Sequence, residues 1–232
     1  MKSIAIITAR GGSKRIPQKN IKEFCGRPII AYSIEAALKA GCFDVVMVST
    51  DSEEIAEIAK QYGAEVPFLR SETTSNDFAT TADVLTEVLN EYTEIGEKFD
   101  YMCCIYPTAP FVTDEKLKNA VDMLQSSEAD SLMPVVAFSF PPQRGNIIRN
   151  GKLEYQYPQY AKKRSQDLEE IYHDCGQFYI CRVSSFMESK SLISENTIPF
   201  ILPDEEVQDI DNLSDWMLAE VKYKTFILKE NS

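Results

Sequence analysis

A basic, glycine-containing segment follows the first apolar run of the chain. Residues 10–20 read R-G-G-S-K-R-I-P-Q-K-N, with Arg10, Arg15 and Lys19 among the bases. The paired glycines Gly11 and Gly12 let backbone N–H groups approach an anion closely, and the basic side chains can neutralise phosphate charge. We therefore predict a triphosphate site, with a flexible, solvated basic loop as the alternative. The spacing fits neither the Walker A pattern nor G-x-G-x-x-G, because no glycine follows at the required offsets.

The elements that position this loop follow from hydrophobic periodicity. Short apolar runs alternate with amphipathic stretches, which predicts a doubly wound, mostly parallel α/β sheet in a single domain over residues 1–232. In such sheets ligands bind beyond the carboxyl ends of the strands, where the basic loop lies. The predicted strands are residues 4–9, 45–49, 101–106, 131–137, 177–181 and 198–202. The predicted helices are residues 28–40, 52–62, 81–92, 113–126 and 213–228. Their inward residues include Ile30, Ile34, Ala37 and Leu38 in the first helix, and Trp216, Leu218, Ala219, Val221 and Phe226 in the last.

The alternation breaks over residues 138–170. This stretch has no helical period, contains several Tyr and Pro residues, and carries an Asn150-Gly151 pair that predicts a hairpin turn. A plain surface loop is the alternative. Because a segment of this length is usually functional or packed against a partner, we predict a β-rich excursion from the sheet.

Composition narrows the function classes. The chain has 232 residues, a net charge of −12 and one histidine, His173, so duplex-DNA binding and multi-histidine zinc sites are disfavoured. The first thirty residues, in contrast, carry seven bases and one acid. The N-terminal apolar run is too short for a signal peptide, and no run approaches a membrane span, which predicts a cytoplasmic protein without nucleic-acid or membrane partners. The six cysteines show no C-x-x-C spacing, which favours reduced, mostly core thiols over a disulfide framework.

Four motifs carry a resemblance to a known family. A-R-G-G-S-K-R-I-P-x-K-N after the first strand, V-S-T-D at residues 48–51, P-T-A-P at 107–110 and D-I-D at 209–211 resemble the acylneuraminate cytidylyltransferase (CMP-sialic acid synthetase) family. The central stretches, residues 138–144, 164–170 and 172–179, resemble the pseudaminic acid cytidylyltransferases within it. The resemblance covers essentially the whole chain. It implies a Rossmann-like nucleotidyltransferase that moves CMP from CTP to the anomeric hydroxyl of a nine-carbon α-keto sugar acid, releasing pyrophosphate with Mg²⁺.

The resemblance also implies roles for individual residues. The catalytic set is Arg10, Lys19 and Asp211, and Asp209 and Asp211 would hold the metal. The residues expected around CTP are Ala9, Arg10, Gly11, Gly12, Ser13, Arg15, Lys19, Asn20, Arg70, Thr80 and Thr81. The residues expected around the sugar acid are Tyr106, Pro107, Thr108, Gln143, Arg144, Arg164, Gln166, His173, Asp174 and Gln177. By the same resemblance, residues 138–170 would form a homodimer contact able to reach the partner's site.

The chemistry of the D-x-D pair agrees with a metal role. Asp209 and Asp211 alternate along an extended segment, so both carboxylates lie on one side of the chain. Carboxylates completed by phosphate oxygens and water suit Mg²⁺. Alone the motif is weak, and Asp211 could instead be a cap of the helix that follows, a role that Asn212 could also take. The metal and capping roles of Asp211 can coexist.

Each of the other residues expected around the sugar also has an alternative, structural interpretation. His173 could bind a carboxylate, act as a base or be a packed structural residue, and Arg164 could pair with the sugar's carboxylate or belong to a solvated charge run with Lys162 and Lys163. The turn at residues 107–110 could shape the pocket or contact ligand, and Tyr106 could contact the sugar or belong to the core.

Tyr106 and residues 173–176 depart from the CMP-sialic acid synthetase pattern, which favours a modified relative of N-acetylneuraminate. N-acetylneuraminate and legionaminate are the alternative sugars. An oxidoreductase on a doubly wound fold and a catalytically inactive interaction protein are the alternative classes, disfavoured by the missing G-x-G-x-x-G and by the intact loop and D-x-D pair, respectively.

Overall fold

The computed structural model describes residues 1–228. The strands are β1 (Ser3–Thr8), β2 (Glu23–Phe24), β3 (Arg27–Pro28), β4 (Val45–Ser49), β5 (Tyr101–Ile105), β6 (Ser131–Ala137), β7 (Asn146–Arg149), β8 (Lys152–Tyr155), β9 (Tyr172–Asp174), β10 (Phe178–Arg182) and β11 (Thr197–Ile201). The helices are α1 (Ile29–Ala40), α2 (Glu53–Gln61), α3 (Glu72–Ser75), α4 (Thr81–Glu94), α5 (Asp114–Gln125), α6 (Val183–Ser189) and α7 (Leu213–Lys222).

The main sheet has the strand order β11-β6-β10-β5-β1-β4, with β9 paired to the outer part of β6. Strands β1, β4, β5, β6 and β11 share one direction, whereas β9 and β10 run against them. The prediction of a mostly parallel sheet is therefore confirmed. Strand β10 enters the sheet antiparallel between β5 and β6, which places the residues just before it beside the carboxyl end of β5.

Helices cover both faces of the sheet because successive strand residues point to opposite sides. On β1, Ala5 and Ile7 pack with the apolar residues of α1, α2 and α5. Ile4 and Ile6 pack on the other face with α4 and with Phe186 of α6. All four β1 side chains are fully buried, and burial of a large aliphatic side chain contributes about 1.5–3 kcal/mol. The strand that carries the basic loop is thus rigidly held.

A separate aromatic cluster fastens the C-terminal helix to the exit of the basic loop. Phe24 of β2 makes edge-on ring contacts with Tyr32, Trp216 and Tyr223, with centroids 5.6, 5.5 and 5.5 Å away. Such pairs contribute about 0.5–1.5 kcal/mol each beyond the area they bury. The cluster therefore brings the start of α7, and the D-x-D segment before it, towards the basic loop.

Several side chains predicted to be inward are exposed. Helix α7 ends at Lys222 and continues as a π-helical turn, Tyr223–Ile227. Only a narrow stripe of this element meets the aromatic cluster, so Tyr223 is buried, while Leu218, Val221 and Phe226 face solvent. Leu38 of α1 is 43% exposed, because it lies at the edge of the helix face beside Gly63.

Residues 138–170 leave the main sheet. They form the β7–β8 hairpin, a two-stranded sheet of its own, and three short 3-10 turns. The hairpin turns at Asn150 and Gly151 as predicted, with φ of 50° and 72°, the left-handed values that a type I′ turn requires. All six cysteines are free thiols, four of them buried. Over residues 1–228, none of the helices has the length and apolar character needed to cross a bilayer.

Candidate active site

An open cleft of about 650 Å³ lies beyond the carboxyl ends of β1, β4 and β5. Its walls come from the basic loop, the α3–α4 segment, the turn after β5 and the D-x-D segment. Predicted site residues that line it are Arg10, Ser13, Arg15, Lys19, Asn20, Arg70, Thr80, Thr81, Tyr106, Pro107, Thr108, Asp209 and Asp211. The structure thus gathers residues from both ends of the chain around one space.

Hydrogen bonds to neighbouring side chains fix the backbone of the basic loop. Asn20, buried in the middle of the 3-10 turn Lys19–Ile21, donates its side-chain amide to the carbonyl of Arg10 at 2.8 Å. Gly11 donates its backbone N–H to Asp51 at 2.8 Å, and a Cβ at this glycine would approach the Cβ of Ser52 to 3.2 Å. Gly11 is therefore explained by close packing on the start of α2, and its N–H is already occupied. Open space surrounds Gly12, whose backbone remains accessible.

The outer bases of the loop are paired with one carboxylate. Asp77, in the segment between α3 and α4, accepts a hydrogen bond from Arg10 at 3.1 Å and one from Lys14. Arg10 also donates to the carbonyl of Asn76 at 3.3 Å. The two cations hold the pKa of Asp77 below its ordinary value, Lys14 having the larger effect. A carboxylate therefore occupies the position where the loop presents its positive charge.

Arg70 is a buried cation on the cleft wall. Its side chain donates to the hydroxyl of Ser49 at 3.1 Å and to the Ser49 carbonyl at 2.6 Å, and the residue is 8% exposed. Burial lowers the pKa of its guanidinium, against the raising effect of nearby Asp51 and Glu87. Within residues 1–228 no carboxylate forms a direct ion pair with it. A desolvated, unpaired guanidinium is costly, which favours a site that receives an anion.

The acidic wall faces the inner bases. The Arg15 guanidinium lies 2.8 Å from the Asp211 carboxylate, and the Lys19 ammonium donates to the carbonyl of Ile210 at 2.7 Å. Desolvation by the cleft walls, followed by the charge of Asp211, raises the pKa of Asp209. Burial lowers the pKa of Lys19, an effect that the two aspartates oppose. Opposite charges thus meet within one cleft.

Tyr106 lines the cleft, whereas its neighbour Tyr179 lies outside the cleft lining. Tyr106 follows β5, and its ring lies edge-on to that of Tyr179 with centroids 5.7 Å apart. The Tyr179 hydroxyl donates to the Asp174 carboxylate at 2.5 Å, and Asp174 also accepts the backbone N–H of Gly176 at 2.7 Å. Burial raises the pKa of both tyrosines, so both hydroxyls remain protonated. Of these three residues only Tyr106 lines the cleft and can offer its hydroxyl to a polyhydroxylated ligand, while Tyr179 and Asp174 lie outside the lining.

Other residues predicted around the sugar do not line the cleft in this chain. Gln177 is buried and donates to the carbonyl of Glu206, and Gln143 is buried and donates to that of Glu169. Arg164 pairs with Asp167 through two hydrogen bonds of 2.8 Å on the surface. Arg144, Gln166, His173 and Asp174 also lie outside the cleft lining, as do Ala9, Gly11 and Gly12, which were predicted around CTP. His173 is exposed, with its ring 4.6 Å from that of Phe138.

Eight residues that line the cleft were not predicted to do so: Thr8, Lys14, Ile16, Thr74, Asn76, Asp77, Ala79 and Val84. Nor were contacts predicted for Asp51, which accepts a hydrogen bond from Gly11, or for Tyr179, which packs against Tyr106. Lys14 and Asp51 belonged to the quoted motifs but had no assigned contact. Asp77 reaches the cleft, and Tyr179 reaches Tyr106, only because the α3–α4 segment and β10 fold beside the basic loop and β5. Membership of a quoted motif was the available signal for Lys14, Asp51 and Tyr179, whereas no local sequence pattern indicates Asp77.

Comparison with known proteins identifies the fold and family. Residues 4–179 match the family model described as cytidylyltransferase. The chain belongs to the cytidylyltransferase family. It is 39% identical over 225 residues to a pseudaminic acid cytidylyltransferase of Campylobacter jejuni subsp. jejuni serotype O:2, covering 97% of each chain. It is 35% identical over 234 residues to a CMP-N,N′-diacetyllegionaminic acid synthase of Legionella pneumophila, covering 95% of each.

Solved structures agree on the cytidylyltransferase fold. The structure of CMP:2-keto-3-deoxy-manno-octonic acid synthetase complexed with CTP superposes with a TM-score of 0.71 at 17% identity, covering 97% of this chain and 98% of that one. At this identity the likeness concerns the fold alone. The family resemblance and the nucleotidyltransferase fold expected from the sequence are both confirmed.

Proposed function

We propose that this cytidylyltransferase transfers CMP from CTP to the anomeric hydroxyl of pseudaminic acid, a nine-carbon α-keto sugar acid, and releases pyrophosphate. The observation that carries the proposal is the single cleft in which Arg10, Lys19 and Arg70 face the Asp209/Asp211 pair. The 39% identity to a pseudaminic acid cytidylyltransferase over 97% of both chains supports the sugar assignment.

Transfer of CMP requires mainly that the protein position the two substrates and neutralise the triphosphate charge. A sugar oxygen displaces pyrophosphate in line at the α-phosphorus, and electrostatic stabilisation dominates such steps. Arg10 and Lys14 at the outer end of the loop, and Arg15 and Lys19 at its inner end, would neutralise the triphosphate. Gly12, with open space around it, lets its backbone approach a phosphate. Arg70 is buried and has no ion-pair partner among residues 1–228, so we infer that it receives negative charge of the nucleotide.

The acidic pair fits a hard divalent cation. Mg²⁺ prefers oxygen ligands and takes only one or two carboxylates from a protein. Over residues 1–228 no group of three or more Asp, Glu, His or Cys is placed to hold a metal, so phosphate oxygens and water would complete the coordination of Asp209 and Asp211. Burial, followed by the charge of Asp211, raises the pKa of Asp209, and a bound cation would oppose both effects. When bound, Mg²⁺ would supply electrophilic stabilisation of phosphate oxygens.

The proposed reaction is tested by substrate panel. The protein is incubated with CTP, Mg²⁺ and, separately, pseudaminate, N-acetylneuraminate and legionaminate. Pyrophosphate release and the mass of the CMP-sugar are then measured. We expect the highest kcat/KM with pseudaminate. Turnover of legionaminate or N-acetylneuraminate alone would reassign the sugar, and failure with all three nine-carbon acids would refute the proposal.

Replacing Asp77 should tighten nucleotide binding. In Asp77→Asn the side chain keeps its shape but no longer competes with phosphate for Arg10 and Lys14, so we expect the CTP Kd to fall several-fold. Titration calorimetry at low salt, without sugar, measures this Kd. Glu72→Gln, an exposed substitution in the same segment, is the matched control. Weaker binding by Asp77→Asn would instead place this carboxylate in the nucleotide-bound site.

We further propose a homodimer formed through residues 138–170. The hairpin exposes an apolar cross-strand pair, Ile148 opposite Leu153, with 76% and 70% of their surfaces accessible. Phe138, Phe140 and Tyr155 are also exposed in this segment. Several large apolar side chains exposed within one segment are typical of an interface. A cytoplasmic location stays a prediction.

Charge placed on the hairpin should separate the dimer. In the Ile148→Asp/Leu153→Asp double variant, two carboxylates would be buried against the partner, which is strongly unfavourable. Light scattering should give twice the 26.3 kDa chain mass for the wild type and the single mass for the variant. Leu213→Asp, an exposed apolar position on α7, is the control and should remain dimeric. A monomeric wild type at assay concentration would contradict the proposal.

Mixed dimers test whether Arg164 serves the partner's cleft. Arg164 and Gln166 lie outside the cleft lining of their own chain, and the dimer surface proposed here includes them. Arg164→Ala and Asp211→Asn, each weakly active, should regain about a quarter of wild-type activity when exchanged into mixed dimers, because one of two sites becomes intact in half the dimers. No recovery after verified subunit exchange would exclude the partner's Arg164 from the site.

A further inference from the structure

The segment that carries the acidic pair has little regular structure of its own. Between β11 and α7 it contains one 3-10 turn, Asp204–Glu206, and is otherwise irregular. It holds five acids, at positions 204, 205, 206, 209 and 211. Mutual repulsion among these carboxylates opposes a compact segment. The side chains that hold it in place therefore decide where Asp209 and Asp211 stand.

Two lysines from different helices hold the segment. Lys222 of α7 donates to the carbonyls of Asp204 and Val207, each at 2.9 Å, with 17% of its side chain exposed. Lys116 of α5 lies 2.6 Å from the Glu206 carboxylate, with 13% of its side chain exposed. Each lysine thus places a largely desolvated positive charge against this acid-rich segment. Hydrogen bonds from a charged donor are stronger than those between neutral groups.

A buried amide completes this support. Gln177, immediately before β10, is 1% exposed and donates through Nε2 to the carbonyl of Glu206 at 2.8 Å. The amide is therefore held between the central sheet and the acidic segment. On the cleft side, Lys19 donates to the carbonyl of Ile210 at 2.7 Å, and the side chains of Val207 and Ile210 are buried. Side-chain donors thus hydrogen-bond to backbone carbonyls on both sides of Asp209.

We propose that Lys222 and Gln177, assisted by Lys116, are positioning residues. They fix the position of the Asp209 and Asp211 carboxylates relative to the basic loop. They touch neither the cleft nor its ligands, since none of the three lines it. Their action is to fix the backbone at Asp204, Glu206 and Val207, two to five residues before the first carboxylate. The inference rests on the proposed metal role of the acidic pair.

The test replaces the Lys222 ammonium and follows the metal. Lys222→Met removes the charge and the donor while keeping an unbranched apolar stem, Lys222→Arg restores a cationic donor, and Lys224→Met is an exposed control nearby. With CTP and Mn²⁺ but no sugar acid, so that no turnover occurs, water-proton relaxation reports protein-bound Mn²⁺. The Mg²⁺ activation constant and the CTP KM are then measured in the full reaction.

We expect Lys222→Met to weaken Mn²⁺ binding and raise the Mg²⁺ activation constant about tenfold, as outer-shell substitutions commonly do. The CTP KM should change much less, Lys222→Arg should recover most of the metal affinity, and Lys224→Met should match the wild type. If Lys222→Met is unfolded at the assay temperature, Gln177→Met, which keeps the side-chain volume, is measured in its place.

Two failures are distinguishable. No enhancement in the wild type with CTP and Mn²⁺ would remove the metal role itself. A wild type that binds Mn²⁺, together with a folded Lys222→Met or Gln177→Met variant of equal metal affinity, would overturn the positioning role alone. A parallel rise in the CTP KM and the Mg²⁺ constant would also overturn it, because a general loss of cleft structure would then explain the effect.

Discussion

Asp211→Asn is expected to lower kcat by about a hundredfold or more with little change in thermal stability. The substitution keeps the shape of the side chain and the backbone N–H of residue 211, which donates to Asp215 at 2.9 Å. The helix cap is made by Asn212, whose side chain accepts from the N–H groups of Ser214 and Asp215. What is lost is one of two carboxylates proposed to hold Mg²⁺, so the effect should fall on the chemical step. Initial rates of pyrophosphate release at saturating CTP and sugar measure it.

The control for this prediction tests whether the loss of a negative charge anywhere in the segment is enough, or whether the charge must be lost at residue 211. Glu205→Gln removes one charge from the same segment at an exposed position and should retain nearly full activity. In Asp211→Asn the Arg15 guanidinium also loses its partner at 2.8 Å, which frees a cation for phosphate and should leave the CTP KM unchanged or lower. Full kcat in Asp211→Asn with a persistent Mg²⁺ requirement would show that the metal is held elsewhere.

Both the strand that carries the basic loop and the hairpin turn were predictable because they depend on local sequence patterns. The uninterrupted apolar run of β1 is typical of a strand buried on both faces, and the loop that follows such a strand emerges at the carboxyl edge of the sheet. The hairpin turn at Asn150 and Gly151 was likewise predictable, since few residues adopt left-handed φ at two successive positions. These features require no knowledge of distant contacts.

The missed features depend on pairings between distant segments. The sequence of β10 contains nothing that specifies its direction, yet its antiparallel entry between β5 and β6 brings Tyr179 beside Tyr106. The same entry turns Gln177 into the interior, although the motif suggested a sugar contact. Asp77 meets the basic loop only through the fold of the α3–α4 segment. A contact that two remote segments create together leaves no periodic signal in either.

Lys19→Met is expected to reduce kcat/KM for CTP by about a hundredfold, because it removes a cation from between the triphosphate site and the acidic pair. The ammonium donates to the carbonyl of Ile210 and lies close to Asp209 and Asp211. The variant therefore also loosens the acidic wall. Lys22→Met, an exposed lysine three residues further on and outside the cleft lining, is the matched control and should behave as wild type.

The pH dependence identifies the charge as the active property of Lys19. Burial lowers the pKa of Lys19 below its ordinary 10.5, and the lysine is charged only below that lowered pKa. As the pH rises through it, the free enzyme loses the cation, so kcat/KM for CTP should fall on the alkaline side earlier than for an ordinary lysine. In Lys19→Arg the guanidinium stays protonated, so this alkaline fall should move to higher pH or vanish. An identical alkaline limb in wild type and Lys19→Arg would assign that titration to another group and leave Lys19 as a hydrogen-bond donor to Ile210.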